Sequence, residues 1–147
     1  MSHTYAKNMV HVVFSTKNRR KIIAKDLQPK MWAYMAGICK NVDIFVVEIG
    51  GMEDHVHLLI QIPPKIALAK AVATIKANSS RWAGEQGHKF SWQEGYGAFS
   101  VSVSIADAVV RYIQNQELHH LKMGFDEEFI AMLKKHAVAF DPKFVLG

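Results

Sequence analysis

Three observations predict an α+β fold of the ferredoxin-like kind. Four segments have the composition of β-strands, two amphipathic helical segments lie between them in the order βαββαβ, and two further helical segments follow. That order specifies an antiparallel sheet with helices, extended by a C-terminal helix that bears a tyrosine.

The first strand is expected over 9–16, where β-branched and aromatic residues dominate. A basic loop holding Lys17, Arg19, Arg20 and Lys21 follows. Asp26 is placed to cap a helix whose buried stripe is Leu27, Met31, Tyr34, Ile38 and Val42. Residues 43–49 and 55–62 read as two strands of a hairpin, with Gly50-Gly51 as the turn signal and Pro63-Pro64 as the stop. Leu68, Val72, Ile75, Ser79 and Trp82 then mark one stripe of a second helix. Residues 84–97 read as loop carrying Phe90, Trp92 and Tyr96, and 98–103 as a short strand. Ser104, with Asp107 as its capping-box-like partner, is expected to start a helix that runs to about Lys122 and stops at Gly124. A last helix is expected over 126–136.

The chain has 147 residues, half of them hydrophobic, and a mean hydropathy of +0.01. These values predict one globular domain over 1–147 and exclude a disordered chain. The apolar runs are far shorter than the roughly 20 residues of a membrane span, so no membrane partner is expected. Residues 1–8 hold no apolar stretch of the secretory kind, and Cys39 is the only cysteine, which excludes an internal disulfide and a zinc cluster. The expected setting is a prokaryotic cytoplasm.

The formal net charge is +5, with a pI near 9.4. That balance favours polyanions, because each neutralised phosphate releases condensed counterions. Besides the cluster after the first strand, Lys65, Lys70, Lys76 and Arg81 recur along one segment. Lys17, Arg19, Lys76 and Arg81 are the candidate DNA-binding residues, each with a solvated surface charge as its bland alternative. Trp92 and Tyr96 are candidates for stacking on unpaired bases, although loop or core packing is the better reading of Trp92.

Two constellations carry chemistry. In Asp54-His55-Val56-His57-Leu58-Leu59-Ile60, strand alternation points His55 and His57 to one face, about 7 Å apart at the backbone. Two imidazoles so placed can lean onto one metal ion, while Val56, Leu58 and Ile60 pack into the core. Taken alone, they read first as two ordinary histidines on an exposed sheet face, since H-x-H is short and common. In the helix, Tyr112 and Gln116 are i and i+4 on one face, with His119 close to the same stripe. Taken alone, that is a helix in which Tyr112 packs with Ile105 and Val109.

Together the two constellations mean more. A tyrosine has a pKa near 10 and is a poor nucleophile at neutral pH. A metal beside it polarises a phosphate oxygen and favours attack by the phenol. His55, His57 and the Gln116 amide oxygen form a three-ligand set with open positions, which suits Mg²⁺ or Mn²⁺.

The segment His55 to His57 matches the HUH motif, in which U is hydrophobic, and Tyr112 with Gln116 matches the tyrosine helix that accompanies it. With the segments from His11 to Lys17, Gly50 to Leu59, Lys76 to Arg81, Trp92 to Ser102 and Tyr112 to His120, the chain resembles the single-tyrosine transposases of the insertion-sequence 200/605 group over nearly its whole length. The resemblance implies a metal-dependent transposase that cuts and rejoins single-stranded DNA at hairpin-marked element ends through a 5′-phosphotyrosine. It implies Tyr112 as catalytic nucleophile and His55, His57 and Gln116 as metal ligands, with His120 nearby. It further implies a homodimer with joined sheets, in which the tyrosine helix of one subunit completes the site of the other in several relatives. The short segment after the last helix favours this branch over relatives associated with repeated palindromes. The alternatives are an HUH-type replication or nicking endonuclease, which usually brings further domains, and a non-catalytic nucleic-acid-binding module. A zinc hydrolase built on the H-x-H pair is a third, without a supporting His, Asp and Lys set.

Overall fold

The computed structural model describes residues 3–147, so residues 1 and 2 of the expected domain lie outside the described residues. In chain order the elements are β1 (Met9–Ser15), α1 (Gln28–Asn41), β2 (Phe45–Met52), β3 (His55–Gln61), α2 (Leu68–Glu85), β4 (Gly97–Ser100), α3 (Ala106–Gln114), α4 (Gln116–His119) and α5 (Phe125–Lys135). The sheet order is β2-β3-β1-β4, with each neighbouring pair antiparallel. The βαββαβ order therefore gives the expected ferredoxin-like sheet.

Strand alternation sorts the side chains into two layers. Val10, Val12 and Phe14 of β1 and Val56, Leu58 and Ile60 of β3 enter the main core with Met31, Met35, Ile38, Val72 and Ile75 of α1 and α2. Burying each such side chain contributes about 1.5–3 kcal/mol. Cys39 is fully buried in this core, and burial pushes its thiol up to about 11, so it has no thiolate character near neutral pH. On the opposite face, Val13 and Phe99 meet Phe125, Phe129, Met132 and Leu133, while Met9 and Leu59 meet Val101 and Ile113. The three C-terminal helices thus cover the sheet face that α1 and α2 leave open. His11, His55 and His57 lie between sheet and helices, buried to 5%, 0% and 0% relative exposure.

Several local expectations are corrected. Asp26 does not cap α1. Leu27 occupies the N-cap without a side-chain bond, and Pro29 lies in the first turn, where its missing N–H leaves one fewer donor to satisfy. Gly50-Gly51 is not the hairpin turn: β2 runs through both to Met52, which pairs with His55, and the turn is Glu53-Asp54. Ser104 lies inside a 3₁₀ turn over Val103–Ile105, with its hydroxyl on that of Ser102, so no capping box forms with Asp107. The tyrosine helix does not continue to Lys122. It breaks at Asn115, whose ψ of 21° departs from helical geometry, and Gln116 opens a separate short turn. Gly124 is the extended N-cap of α5 and not the stop of the preceding helix.

Candidate metal and tyrosine site

His55 and His57 project from β3 toward the C-terminal helices. Across the sheet, Val13 and Gly50 flank His57, and Ser15 and Met52 flank His55. Two glycines let the helices come close. A Cβ on Gly50 would stand 2.8 Å from the Ile113 carbonyl oxygen of α3, and one on Gly97 would stand 2.7 Å from the Phe129 ring of α5. These close approaches bring Tyr112 and Glu128 to the histidines.

Glu128 is the centre of the arrangement. It is 1% exposed, and burying a carboxylate is costly unless hydrogen bonds compensate. Its Oε1 lies 3.1 Å from His57 Nε2, 3.1 Å from His120 Nε2 and 3.3 Å from His55 Nε2. Its Oε2 accepts from Gln116 Nε2 at 3.1 Å, lies 3.3 Å from His119 Nε2 and accepts from the Tyr112 hydroxyl. Tyr112 Oη is also 3.4 Å from His119 Nε2.

Two further contacts orient the histidine rings. Asp54 Oδ1 lies 2.7 Å from His55 Nδ1, and His11 Nε2 lies 2.8 Å from His57 Nδ1. An ionised Asp54 can only accept, so His55 Nδ1 carries the proton, and neutral His55 presents the lone pair of Nε2. That lone pair faces two more acceptors: Gln116 Oε1 at 2.8 Å and Glu128 Oε1 at 3.3 Å. The Gln116 amide cannot turn to relieve this, because its Nε2 is held by Glu128 Oε2 at 3.1 Å. Converging lone pairs of this kind need a cation between them, either a proton on His55 or a metal ion. The nitrogen and oxygen donors fit a divalent ion such as Mg²⁺ or Mn²⁺, and an Asp-oriented imidazole is the usual support of a ligating histidine. His55, His57 and Glu128 each bring a ligand atom within 4.8 Å of the others.

The electrostatics follow from this geometry. Burial, aided by the neighbouring His57, holds His11 down to about 3, and burial holds His57 down to about 4, so both are neutral at pH 7. Burial alone would raise Glu128, but the bonds from His120 and His57 outweigh it and keep the carboxyl below its ordinary range. The same carboxylate outweighs the effect of burial on His120 and raises it. Tyr112 is pushed well above its ordinary value, first by burial and then by Glu128, so the bare side chain is a poorer nucleophile than free tyrosine.

The expected site residues Tyr112, His55, His57 and Gln116 are therefore brought together, and His120 lies against Gln116 Oε1 at 3.0 Å. The bland reading of His55 and His57 as exposed sheet-face histidines does not hold, since both are fully buried. Glu128, His11 and Asp54 are members of the cluster that the motifs did not single out. Asp54 had a usable signal, being adjacent to the first histidine. Glu128 had none, because it lies far along the chain in an acidic helix start beside Asp126 and Glu127.

The candidate DNA contacts lie elsewhere. Lys17 is exposed, whereas Arg19 bonds the Leu146 carbonyl at 3.0 Å and pairs with Asp126 at 3.3 Å. Arg81 is exposed and bonds Asn78 at 2.8 Å. Lys76 is half-buried, and its ammonium donates to the carbonyls of Gln93, Glu94 and Gly95 at 2.6, 3.1 and 2.9 Å. Those three bonds use every N–H it has. Trp92 is buried, edge-on to Phe14 and Phe90, with its indole N–H on Ser79 Oγ at 2.9 Å, while Tyr96 is exposed. A cavity of about 500 Å³ opens beside Tyr112, between β4, α3 and α5, with Phe99, His119, Lys135 and His136 in its wall.

With this geometry established, the comparisons with known proteins are specific. The model of the family described as "Transposase IS200 like" matches residues 4–116, which include both histidines, the tyrosine and Gln116. The chain belongs to the IS200-like transposase family. This IS200-like protein is a DNA transposase. It is 28% identical over 132 residues to the transposase for insertion sequence element IS200 of Salmonella typhimurium strain LT2, covering 84% of this chain and 86% of that relative. It is 23% identical over 119 residues to the ISDra2 transposase TnpA of Deinococcus radiodurans, covering 72% of this chain and 81% of that one. Two solved structures share the fold. A candidate transposase from Deinococcus radiodurans R1 superposes with a TM-score of 0.63 at 21% identity, over 79% of this chain and 95% of that chain. A REP-associated tyrosine transposase bound to a REP hairpin superposes with a TM-score of 0.62 at 15% identity, over 82% and 73%.

Proposed function

We propose that this transposase cleaves and rejoins single-stranded DNA at hairpin-marked ends, with Tyr112 as the nucleophile. The observation that carries the reading is the convergence of Tyr112, Gln116, His55 and His57 on one buried cluster, supported by converging lone pairs that call for a cation. His55 Nε2, His57 Nε2 and Gln116 Oε1 would hold a divalent ion, Mg²⁺ or Mn²⁺. Bound there, the ion supplies Lewis-acid polarisation of the scissile phosphate. Asp54 and His11 fix the two rings so that Nε2 of each faces the site. Tyr112 Oη attacks phosphorus, its proton passes to a neighbouring acceptor, and the bond from phosphorus to the 3′ oxygen breaks. The 3′ oxygen takes up the proton that the phenol gave up and leaves as a hydroxyl, and the 5′-phosphate stays esterified to Tyr112. Because one diester replaces another, rejoining needs no external energy source.

Lys17, Arg19 and Arg81 are proposed to meet the DNA backbone. Lys76 would contribute by holding the 93–95 loop, which presents Tyr96 for stacking on an unpaired base. The relative bound to a REP hairpin supports a folded single strand as substrate. A homodimer joined along a sheet edge is proposed as well, β2 and β4 being the edge strands.

The test is a stem-loop oligonucleotide with single-stranded flanks, labelled on either side of the cut. With Mn²⁺ present, label 3′ of the cut should stay on the protein, and label 5′ of it should leave with a free 3′-hydroxyl. Tyr112→Phe should bind the same DNA and give no adduct. A covalent adduct with the Phe variant, or attachment through a 3′-phosphate, would sink the reading.

A further inference from the structure

We infer that Glu128 of α5 is a metal ligand of this site, the one that brings negative charge. The inference rests on the reading above that His55 and His57 hold a divalent ion. It goes beyond that reading because α5 lies outside the matched segment 4–116 and Glu128 belongs to no motif.

Geometry is the first support. Around a small divalent ion with bonds near 2.1 Å, neighbouring ligand atoms at right angles are roughly 3.0 Å apart. Glu128 Oε1 stands 3.1 Å from His57 Nε2 and 3.3 Å from His55 Nε2. Gln116 Oε1 stands 2.8 Å from His55 Nε2. The carboxylate oxygen is therefore at the edge length of such a shell with respect to both histidines. Charge is the second support. His55, His57 and Gln116 offer only neutral donors, so an anionic carboxylate oxygen adds the charge that favours a hard ion such as Mg²⁺ or Mn²⁺. Glu128 is 1% exposed and, among the described residues, forms no ion pair with a lysine or arginine, so a cation at the histidines would give it a full positive counter-charge that otherwise only a protonated imidazole supplies there. Position is the third support. Oε1 serves the histidine side while Oε2 holds Gln116 Nε2 and the Tyr112 hydroxyl, so the same carboxylate fixes the spacing between metal and phenol.

The test is Mn²⁺ binding by the chelator-treated full chain, followed by electron paramagnetic resonance, with no DNA present. Glu128→Gln keeps the shape and one oxygen but removes the charge. It should weaken Mn²⁺ binding at least tenfold, and Glu128→Asp should recover part of the loss. His57→Ala is the reference arm. If His57→Ala weakens binding and Glu128→Gln binds as the wild type does, the Glu128 assignment is overturned while the histidine site stands. If neither variant changes Mn²⁺ binding, the metal reading fails as well. Should Glu128→Gln not fold, the wild-type crystal soaked in Mn²⁺ decides the matter. Anomalous scattering should place the ion within bonding distance of Glu128 Oε1 and both Nε2 atoms. An ion on the histidines with Glu128 outside bonding distance overturns the inference.

Discussion

Gly50 of β2 lies directly beneath Ile113 of α3, so close that a Cβ at position 50 would stand 2.8 Å from the Ile113 carbonyl oxygen and 2.9 Å from its Cγ2. Tyr112 is the next residue back along the helix, and His57 is the partner of Gly50 across the ladder. The glycine therefore sets the distance between tyrosine helix and histidine strand. Gly50→Ala should destabilise the fold by about 1–3 kcal/mol, as overpacking does, and should lower adduct formation further than that loss explains. Equal adduct yield from folded Gly50→Ala and wild type would show that this contact does not position Tyr112.

Removing a proposed metal ligand should separate binding from chemistry. His57→Ala leaves His11 and Glu128 each short of one partner, a cost of about 1–3 kcal/mol. The variant should still bind a stem-loop but require far more Mn²⁺ or Mg²⁺ to cleave it. Chelator should abolish cleavage by the wild type. Full activity in excess chelator would remove the metal from the mechanism.

Acid should loosen the metal-free protein before its carboxylates protonate. An unfolded histidine titrates near 6.5, whereas burial holds His11 at about 3 and His57 at about 4 in the fold. Below pH 6.5 the unfolded chain binds protons that the folded chain refuses, so stability falls as pH drops from 6.5 toward 4. The slope is roughly 1.4 kcal/mol per pH unit for each such group, and the stability from the raised His120 is already fully present below 6.5 and leaves that slope unchanged. Thermal melting of chelated protein at pH 7, 6 and 5 checks this. An unchanged Tm over that range would contradict the burial of the two imidazoles.

Tyr112 reaches the cluster of its own chain, with its ring 5.6 Å from that of His57 and its hydroxyl on Glu128. Mixing Tyr112→Phe with His57→Ala should therefore give no cleavage, because every chain then carries one defect in its own site. Recovery of a substantial fraction of wild-type activity in the mixture would show that the tyrosine helix works on a second copy's histidines.

A preference for unpaired DNA follows from the proposed action on a hairpin-marked single strand. Base edges are reached more easily in unpaired segments. Binding to a stem-loop with single-stranded flank should exceed binding to the same sequence as plain duplex. It should also weaken steeply with salt, since Lys17, Arg19 and Arg81 would displace counterions. Equal affinity for both DNAs, or a flat salt dependence, would count against the proposed surface.

What the sequence determined by itself was mostly short-range. Strand alternation put His55 and His57 on one face, helical spacing put Tyr112 and Gln116 on one side, and the βαββαβ order specified the sheet. Glycines misled at this level. Gly50-Gly51 reads as a turn, and Gly124 as a helix stop, because glycine's local signal is permissive backbone, while Gly50 is needed for a helix that passes over it. Only the tertiary structure decided that the histidine face is buried, since nothing local says that α3, α4 and α5 fold back across the sheet. The same packing brought Glu128 to His57 from 71 residues away and spent the ammonium of Lys76 on the 93–95 carbonyls. Spacing along an element fixes which side chains share a face. Which charged group is carried into that face depends on how apolar surfaces pair over the whole chain, and here Phe125 and Phe129 of α5 pack down and bring Glu128 with them.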